Sequence, residues 1–444
     1  MRHTAIEAPR WLACSSIYQI NPRTFCPEGT IAAVTRELPK LAELGFGVMY
    51  LCPIFEADDS ADIRFFSERQ KKYGTQNPKN PYRMNDYFAI DSEYGTMEDL
   101  KAFVQESHRL GMRVLLDLVY LHIGPNAPIL KRHPEFAQQD EKGNIINGPW
   151  HFPLLDFNCL GLREYLWSNM TYYVGVLDVD GFRCDVGDDV PLDFWVEGRR
   201  RMKAIKPDSI LIDEGDNGEY LLTGFDSIYA FRWHEMLYQV FNGAKPASAL
   251  REDWEQWNRK LPLGARVLRD MDNHDTVTDW PCRVEKMAGH EGMEIIQALN
   301  YTMDGIPMVY CGNELADSAR INMFANRFYP GVYEMTDRNI AGEPWSLRRQ
   351  EVMKKLNRWK KESELLYAGS TRWLTHDQEN DVIAVKRETE KESLLFIANV
   401  REEEITVYIN EEVQETEVFL QNGDVKREDR KFVLSGHSYM ILTR

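Results

Sequence analysis

The segment Gly181-Phe182-Arg183-Cys184-Asp185-Val186 sets an arginine and an aspartate two residues apart within what reads as a buried strand. Side chains at positions i and i+2 of a strand share a face, so Arg183 is expected to lie beside Asp185. A neighbouring positive charge favours the ionised form of a carboxyl group. A fixed, ionised carboxylate is what covalent catalysis by an aspartate requires. The segment therefore predicts a nucleophile at Asp185.

Three further groups of polar residues follow short apolar runs, with helical stretches between them. Each group alone has an ordinary structural explanation, as an ion pair or a satisfied histidine, but their joint occurrence favours one site assembled from several strand ends. That arrangement is typical of a (β/α)8 barrel, whose chemistry lies at the carboxyl ends of its strands. The groups are Asp117 with His122 after residues 114–116, Asp213 with Glu214 after 210–212, and Asn273-His274-Asp275 after 267–270.

In their order along the chain these motifs resemble the four signature regions of the α-amylase family of glycoside hydrolases (family 13). Residues 45–55, 82–91 and 305–314 add weaker support. The wording of residues 184–195 is most similar to bacterial maltodextrin-degrading amylases with a short B domain. The resemblance implies an α/β fold, a (β/α)8 TIM barrel with a short inserted B domain and a C-terminal β-sandwich domain.

The resemblance also implies catalytic roles for three carboxyl groups. Asp185 matches the family nucleophile and Glu214 the general acid/base. Asp275 matches the carboxylate that binds the sugar hydroxyls and stabilises the transition state. Asp213, next to Glu214 on a strand, is expected to point to the opposite face and to be structural.

Five more residues are predicted to form the substrate-binding part of the site. Arg183, His122 and His274 match the hydrogen-bond donors around the carboxyl groups. Tyr82 matches the aromatic ring that stacks on the sugar at the cleavage point. Asp117, at the end of its strand, is expected to support the site through hydrogen bonds.

The implied reaction is hydrolysis of α-1,4-glucosidic bonds in starch-derived α-glucans or maltooligosaccharides, with retention of configuration. Retention needs two carboxyl groups about 5 to 5.5 Å apart, one to attack the sugar and one to protonate the leaving oxygen. Negative charge on Asp185 is expected to raise the pKa of Glu214 and keep it protonated. Two alternatives stay open: a transglycosylase on the same scaffold, and a catalytically inactive glucan-binding protein, although such relatives typically lose carboxyl groups that are all present here.

No metal or other cofactor is predicted. Many family members carry an asparagine that binds a structural calcium ion just before the histidine of the first region, and Leu121 stands at that position. An apolar side chain cannot ligate a hard cation. Residues 22–30 also lack the Asp/Asn/Gly-rich calcium loop that some members have after the first strand.

The sequence divides into a catalytic barrel in residues 1–122 and 159–362, a short B domain in 123–158, and a C-terminal β-sandwich in 363–444. Strands are predicted at 16–20, 48–52, 225–229 and 306–310, and helices at 30–44, 160–174 and 191–205. In the B domain, Pro, Gly and Asn residues interrupt the alternation of predicted strands and helices. From about residue 363 the pattern changes to short alternating strands.

Composition excludes several partners. The 444 residues carry a net charge of -17, which argues against nucleic acid or an anionic membrane as the partner. No stretch reaches the roughly twenty apolar residues of a membrane span, and the N-terminus lacks the apolar run of a secretory signal. Cytoplasm is favoured, with a secreted or periplasmic location if a leader was removed. Seven cysteines without metal spacing indicate buried thiols. The sequence leaves the oligomeric state open.

The loop of residues 56–80 could form one wall of the substrate cleft. It is long and rich in charge, and long loops concentrate function. Phe66 or Tyr73 could stack on a sugar there, and Trp150 could do so from the B domain; a solvated loop with anchoring aromatics is the plainer alternative. Neither subclass of the family fits cleanly. Gly187-Asp188 replaces a Lys-His pair common in endo-acting amylases, and residues 276–278 lack the arginine found nearby in many exo-acting α-glucosidases.

Overall fold

The computed structural model describes residues 2–329 and 335–444. Eight parallel strands close into a barrel in which each strand pairs with the next in sequence and the last pairs with the first, so the predicted (β/α)8 fold is confirmed. The barrel strands are β1 (Ile17–Ile20), β2 (Val48–Leu51), β3 (Arg113–Leu118), β4 (Gly181–Cys184), β5 (Ile210–Asp213), β6 (Ser227–Tyr229), β7 (Val267–Asp270) and β8 (Ile306–Tyr310).

Alternation along these strands fills the inside of the barrel. Apolar side chains such as Ile17, Val48 and Ile210 form one interior cluster. Towards the carboxyl ends of β3 and β4 the interior positions become polar, and the register places Asp117 of β3 directly beside Arg183 of β4. The functional groups therefore lie at the carboxyl ends of the strands, above the apolar cluster that fills the inside of the barrel.

Helices surround the barrel, and their boundaries follow capping chemistry. The helix predicted at 30–44 spans Ile31–Glu43, because the Thr30 hydroxyl accepts the Ala33 N–H at 3.2 Å and fixes the first turn. The α-helices are Arg10–Ala13, Pro22–Phe25, Ile31–Glu43, Glu68–Tyr73, Met97–Arg109, Pro128–Arg132, Leu160–Val176, Leu192–Ile205, Phe231–Phe241, Ser248–Asn258, Thr276–Asp279, Val284–Thr302, Pro344–Glu362 and Glu364–Ala368.

Two insertions rise above the carboxyl ends of the strands. Between β2 and β3 an antiparallel pair of strands, Phe55–Ala57 and Met84–Ile90, frames the helix Glu68–Tyr73. After β3 the chain forms the helix Pro128–Arg132 and isolated β-bridges, one of which joins His122 to Leu154. These insertions supply side walls for whatever binds at the strand ends.

The C-terminal part consists of two antiparallel sheets around a shared apolar cluster, which agrees with the predicted β-sandwich. The larger sheet is buried on both faces, because its other side packs on the main core. Its order is β9-β10-β11-β16-β13 and that of the smaller sheet is β12-β15-β14, for strands β9 (Ser370–Trp373), β10 (Val382–Glu388), β11 (Ser393–Asn399), β12 (Ile405–Tyr408), β13 (Glu417–Asn422), β14 (Val425–Glu428), β15 (Lys431–Leu434) and β16 (Ser438–Thr443).

The cysteine thiols and the hydropathy of the helices test two further predictions from the sequence. All seven cysteines are free thiols. Five are buried as predicted, including Cys52, Cys184 and Cys311, whereas Cys159 and Cys282 are partly exposed. Every helix within the described residues is too short or too polar to cross a bilayer.

Candidate active site

The predicted site residues meet at one cavity of about 180 Å³ at the carboxyl ends of the barrel strands. Asp185 and Glu214 lie just beyond β4 and β5, and Asp275 follows β7. Six of the eight predicted residues line this cavity, namely Tyr82, His122, Asp185, Glu214, His274 and Asp275. The other two, Asp117 and Arg183, are fully buried and are not part of the lining.

Arg183 ties the buried carboxyl groups together. Its Nη1 lies 2.7 Å from Asp117 Oδ1 and 2.9 Å from Asp185 Oδ1, and its Nη2 contacts Glu214 Oε1. The side chains at 183 and 185 share a strand face, as the sequence predicts. One rigid guanidinium fork therefore fixes Asp185 and Glu214 relative to each other. Its contact with Asp117 anchors it to the neighbouring strand, so Asp117 acts through Arg183.

The second oxygen of Glu214 is held by the backbone next to Asp185. The Val186 N–H donates to Glu214 Oε2 at 2.9 Å. Val186 has φ of 38° and ψ of 48°, a left-handed conformation that is costly for a β-branched residue. The strained turn thus aims a backbone donor at the Glu214 carboxyl group, a feature that sequence reasoning missed.

The surroundings push the pKa values of the three lining carboxyl groups apart. Burial raises the pKa of Glu214 well above its ordinary value, Arg183 opposes this, and Asp185 and Asp275 add to it. Burial also raises the pKa of Asp185 against the pull of Arg183, so the predicted influence of Arg183 is present but outweighed. Burial opposes ionisation of Asp275 too, but His274, Arg69 and Arg183 together lower its pKa. Of the three carboxyl groups, Glu214 therefore keeps its proton to the highest pH.

His274 is a neutral donor in the cavity wall. Its Nδ1 accepts from the Gln19 side-chain amide at 2.9 Å, so its proton lies on Nε2. Nε2 faces the Tyr82 hydroxyl at 2.5 Å and Asp275 Oδ2 at 3.4 Å. Burial lowers the pKa of His274 to about 4. The Tyr82 ring stacks on the imidazole with centroids 5.6 Å apart.

His122 presents an unused nitrogen. Its Nε2 donates to the Tyr82 carbonyl at 2.8 Å, and its buried Nδ1 has no hydrogen-bond partner among the described residues. Burial lowers the pKa of this imidazole, which keeps it neutral. Trp150 and Phe152, from the insertion after β3, pack against the ring and also line the cavity. An orphaned acceptor beside aromatic rings suits a polar ligand with flat apolar faces, such as a sugar.

In the loop after β2 the two aromatic residues anchor the loop, as the plainer alternative predicts, and other residues line the cavity. Phe66 and Tyr73 are buried, and neither lines the cavity; Phe66 lies under the guanidinium of Arg83 and Tyr73 stacks on Phe324. Ser67 and Arg69 line it instead. The Ser67-x-x-Gln70 spacing is a helix-start signal that could have predicted the helix, but not where Arg69 points. Other lining residues missed from sequence are Asn80, Asp279, Met323 and Phe324.

Asp213 faces away from the cavity, beside Gly187 and Asp188. Its side chain is 0% exposed, and neither carboxyl oxygen has a hydrogen-bond partner of good geometry among the described residues. Burial, reinforced by the charge of Asp188, raises its pKa to about 8. Asp213 is therefore a neutral, protonated acid at pH 7, which is the cheapest state for a buried unpaired carboxyl group.

This protonation predicts a pH-dependent stability. Between about pH 4 and pH 8 the folded state keeps a proton on Asp213 that the unfolded chain releases, so the free energy of unfolding falls as pH rises, by up to about 1.4 kcal/mol per pH unit. Urea unfolding of Asp213→Asn at pH 5 and pH 8 is expected to show a smaller loss than the wild type. The exposed control Glu219→Gln should behave like the wild type. Parallel losses in Asp213→Asn and wild type would contradict a raised pKa at Asp213.

Comparisons with known proteins agree with this geometry. Residues 11–146 match the family described as the α-amylase catalytic domain. A cyclomaltodextrinase of Thermoanaerobacter pseudethanolicus is 24% identical over 98% of this chain and 78% of its own length. A maltogenic α-amylase of Bacillus acidopullulyticus is 27% identical over 70% of this chain, which spans 57% of that relative.

A solved structure extends the match to nearly the whole chain. The maltogenic α-amylase AmyB of Thermotoga neapolitana superposes with a TM-score of 0.82 at 26% identity, over 98% of this chain and 99% of that one. The sequence motifs, the barrel and these similarities agree. The family match over residues 11–146, these relatives and this solved structure support the assignment of the chain to the α-amylase family of glycoside hydrolases (family 13).

Proposed function

We propose that this glycoside hydrolase cleaves α-1,4-glucosidic bonds of starch-derived α-glucans or maltooligosaccharides, with Asp185 as nucleophile, Glu214 as acid/base and Asp275 as a sugar-binding carboxylate. The observation that carries the proposal is the pairing of Asp185 and Glu214 at the ends of adjacent strands. Both line one cavity and both are held by Arg183. The relatives with names referring to maltodextrins and maltose support an α-glucan as the substrate.

In the first step the Asp185 carboxylate attacks the anomeric carbon while the bond to the leaving oxygen breaks. Glu214 gives its proton to that oxygen, so a glycosyl ester and a free alcohol result. The raised pKa of Glu214 keeps this proton available near neutral pH. Arg183, close to both groups, counters the charge that Asp185 carries before the attack.

In the second step water resolves the ester. Asp185 is now neutral, so one cause of the raised pKa of Glu214 has gone and Glu214 can ionise. Ionised Glu214 takes a proton from water, the water oxygen attacks the anomeric carbon, and the ester bond breaks to release Asp185. Two inversions restore the starting configuration.

Neutral donors and acceptors fit the uncharged hydroxyls of a glucan. His122 Nδ1 offers an acceptor and His274 Nε2 a donor, and Asp275 stays ionised because its pKa is lowered. A site that hydrogen-bonds hydroxyl groups rejects ligands that lack them, because its buried polar atoms would be left unpaired.

Two measurements test this function. Proton NMR of products released from maltoheptaose is expected to show the α-anomer first. A 5-fluoro-α-glucosyl fluoride is expected to label the peptide that contains Asp185, as detected by mass spectrometry. β-Anomeric products or a label elsewhere would contradict the mechanism. Products longer than maltoheptaose would move the assignment to a transglycosylase, and binding without turnover would favour the glucan-binding alternative.

Calcium independence remains a prediction of the same proposal. Leu121 offers no oxygen where many relatives bind the ion. Dialysis against EDTA is expected to leave both the rate on maltoheptaose and the melting temperature unchanged. A loss that returns on adding Ca²⁺, and does not return with Mg²⁺, would show that calcium binds at another position.

A further inference from the structure

The helix Glu68–Tyr73 carries a cation into the cavity whose part in the proposed chemistry is limited to lowering the pKa of Asp275. Arg69 Nη2 lies 2.8 Å from Asp275 Oδ1, and its Nε lies 3.0 Å from Asp279 Oδ1. The same guanidinium stands 5.9 Å from the ring centroid of Phe324. Arg69 therefore joins the loop after β2 to the wall formed after β7 and β8.

The helix Glu68–Tyr73 and its flanking residues form an arm that is fixed in place by buried hydrogen bonds. Ser67 caps the helix at its start, and Gly74 ends it in the left-handed conformation that glycine adopts at low cost. The side chains of Thr75 and Asn77 both donate to the Phe324 carbonyl at 3.1 Å. Fully buried Arg83 donates to backbone carbonyls on both sides of the helix, including that of Phe65 at 2.7 Å. The wall that Arg69 forms is thus part of the folded structure.

The space left beside Arg69 is small. The cavity measures about 180 Å³, well below the roughly 300–1,000 Å³ of pockets that enclose drug-sized ligands. A space of this size holds about one hexose ring.

The proposed roles of the carboxyl groups set the orientation of that ring. Asp185 and Glu214, held by Arg183, mark the position of C1 and the leaving oxygen. Asp275, held by Arg69, then faces the hydroxyls on C2 and C3. The next position around the ring is C4, whose oxygen carries the preceding sugar in an α-1,4 chain. Arg69 contacts both Asp275 and Asp279, so in this placement of the ring these two neighbours of Asp275 adjoin C4.

We propose that Arg69 closes the cavity behind one terminal glucose unit, so that the enzyme removes units from the non-reducing ends of linear chains. The inference rests on the proposed function and adds the choice of substrate to it. A free 4-hydroxyl can donate to Asp279 and accept from Arg69, whereas a substituted oxygen cannot donate and brings bulk against the arm. Cyclic glucans have no such end, so they should be poor substrates, in contrast to the preference suggested by one relative's name.

The test compares three substrates of one linkage: maltoheptaose, maltoheptaose blocked by a 4,6-O-ethylidene group at its non-reducing end, and β-cyclodextrin. Wild-type kcat/KM is expected to be about 100-fold lower on the blocked and cyclic substrates than on free maltoheptaose. Arg69→Ala is expected to shrink that ratio at least about tenfold. The control Arg64→Ala changes an exposed arginine just before the same helix, whose guanidinium pairs with Asp62 and lies 6.0 Å from the Phe65 ring centroid, and it should keep the wild-type ratio.

The outcomes separate the two proposals. Wild-type cleavage of β-cyclodextrin or the blocked chain as fast as of free maltoheptaose would overturn the role of Arg69 and leave the hydrolase intact. An unchanged substrate ratio in Arg69→Ala would do the same. Absence of turnover on all three substrates would overturn the proposed function itself, and the inference with it.

Discussion

Asp185→Asn is expected to lower kcat on maltoheptaose by at least about 10⁴-fold, because an amide cannot form the glycosyl ester and the second step then has nothing to resolve. The protein should stay folded. Arg183, the buried cation that Asp185 contacts, keeps Asp117 at 2.7 Å and its contact with Glu214. Removing one of three acidic partners therefore leaves no unpaired buried charge, which is the usual reason that such a variant unfolds.

The matched control is Asp189→Asn, which makes the same chemical change at an exposed position on the turn that follows Asp185. It should keep kcat within about twofold of wild type, as surface substitutions usually do. Melting temperatures of both variants check that they are folded. If folded Asp185→Asn retained a kcat within tenfold of the wild type, Asp185 would not be the nucleophile.

The barrel could be predicted because local signals and global topology agree. Apolar runs of about five residues with polar groups directly after them fix both the strands and the end at which chemistry gathers. Once β3 and β4 are neighbours, the register that pairs Asp117 with Arg183 follows from the alternation of side chains. The strand predicted at 306–310 matches β8 to the residue.

The walls of the cavity could not be predicted in the same way. The loop after β2 has no periodicity that says which of its charged residues turns inward. Its sequence offered Phe66 and Tyr73 as stacking candidates, with an anchoring role as the plainer alternative, and did not single out Arg69. The structure shows why the aromatic residues are elsewhere: Tyr73 packs on Phe324, more than two hundred residues away in the chain. A contact that depends on such a distant loop leaves no trace in local sequence.

The sequence predicted the effect of Arg183 on the pKa of Asp185, but it did not predict the net direction in which that pKa shifts. Arg183 favours the ionised form of Asp185, as its spacing implies, but the burial of both residues decides the net direction of the Asp185 pKa. Burial depends on how completely the insertions cover the strand ends. The same holds for Asp213, whose protonation follows from its complete burial and its charged neighbour Asp188.

Glu214→Gln is expected to lower kcat on maltoheptaose by about 10²–10⁴-fold, because glutamine cannot protonate the leaving oxygen or activate water. The loss should depend on the leaving group. Fluoride departs without a proton, so formation of the ester from α-glucosyl fluoride should be much less impaired. Azide needs no base to attack, so adding it should restore turnover and yield the α-glucosyl azide. This pattern distinguishes an acid/base from a residue that only shapes the cavity.

The pH profile gives a second, independent reading of Glu214. Burial raises its pKa well above the ordinary value, so the wild-type fall in kcat/KM on the alkaline side should report its deprotonation. That fall should disappear in Glu214→Gln measured with the fluoride substrate, since glutamine has no proton to lose. The exposed control Glu219→Gln, on the 3₁₀-helix Gly218–Leu222, should keep both the rate and the profile. Equal losses on maltoheptaose and the fluoride, without azide rescue, would place the proton donor on another residue, and the raised pKa of Glu214 would then be a property of the buried cluster around Arg183.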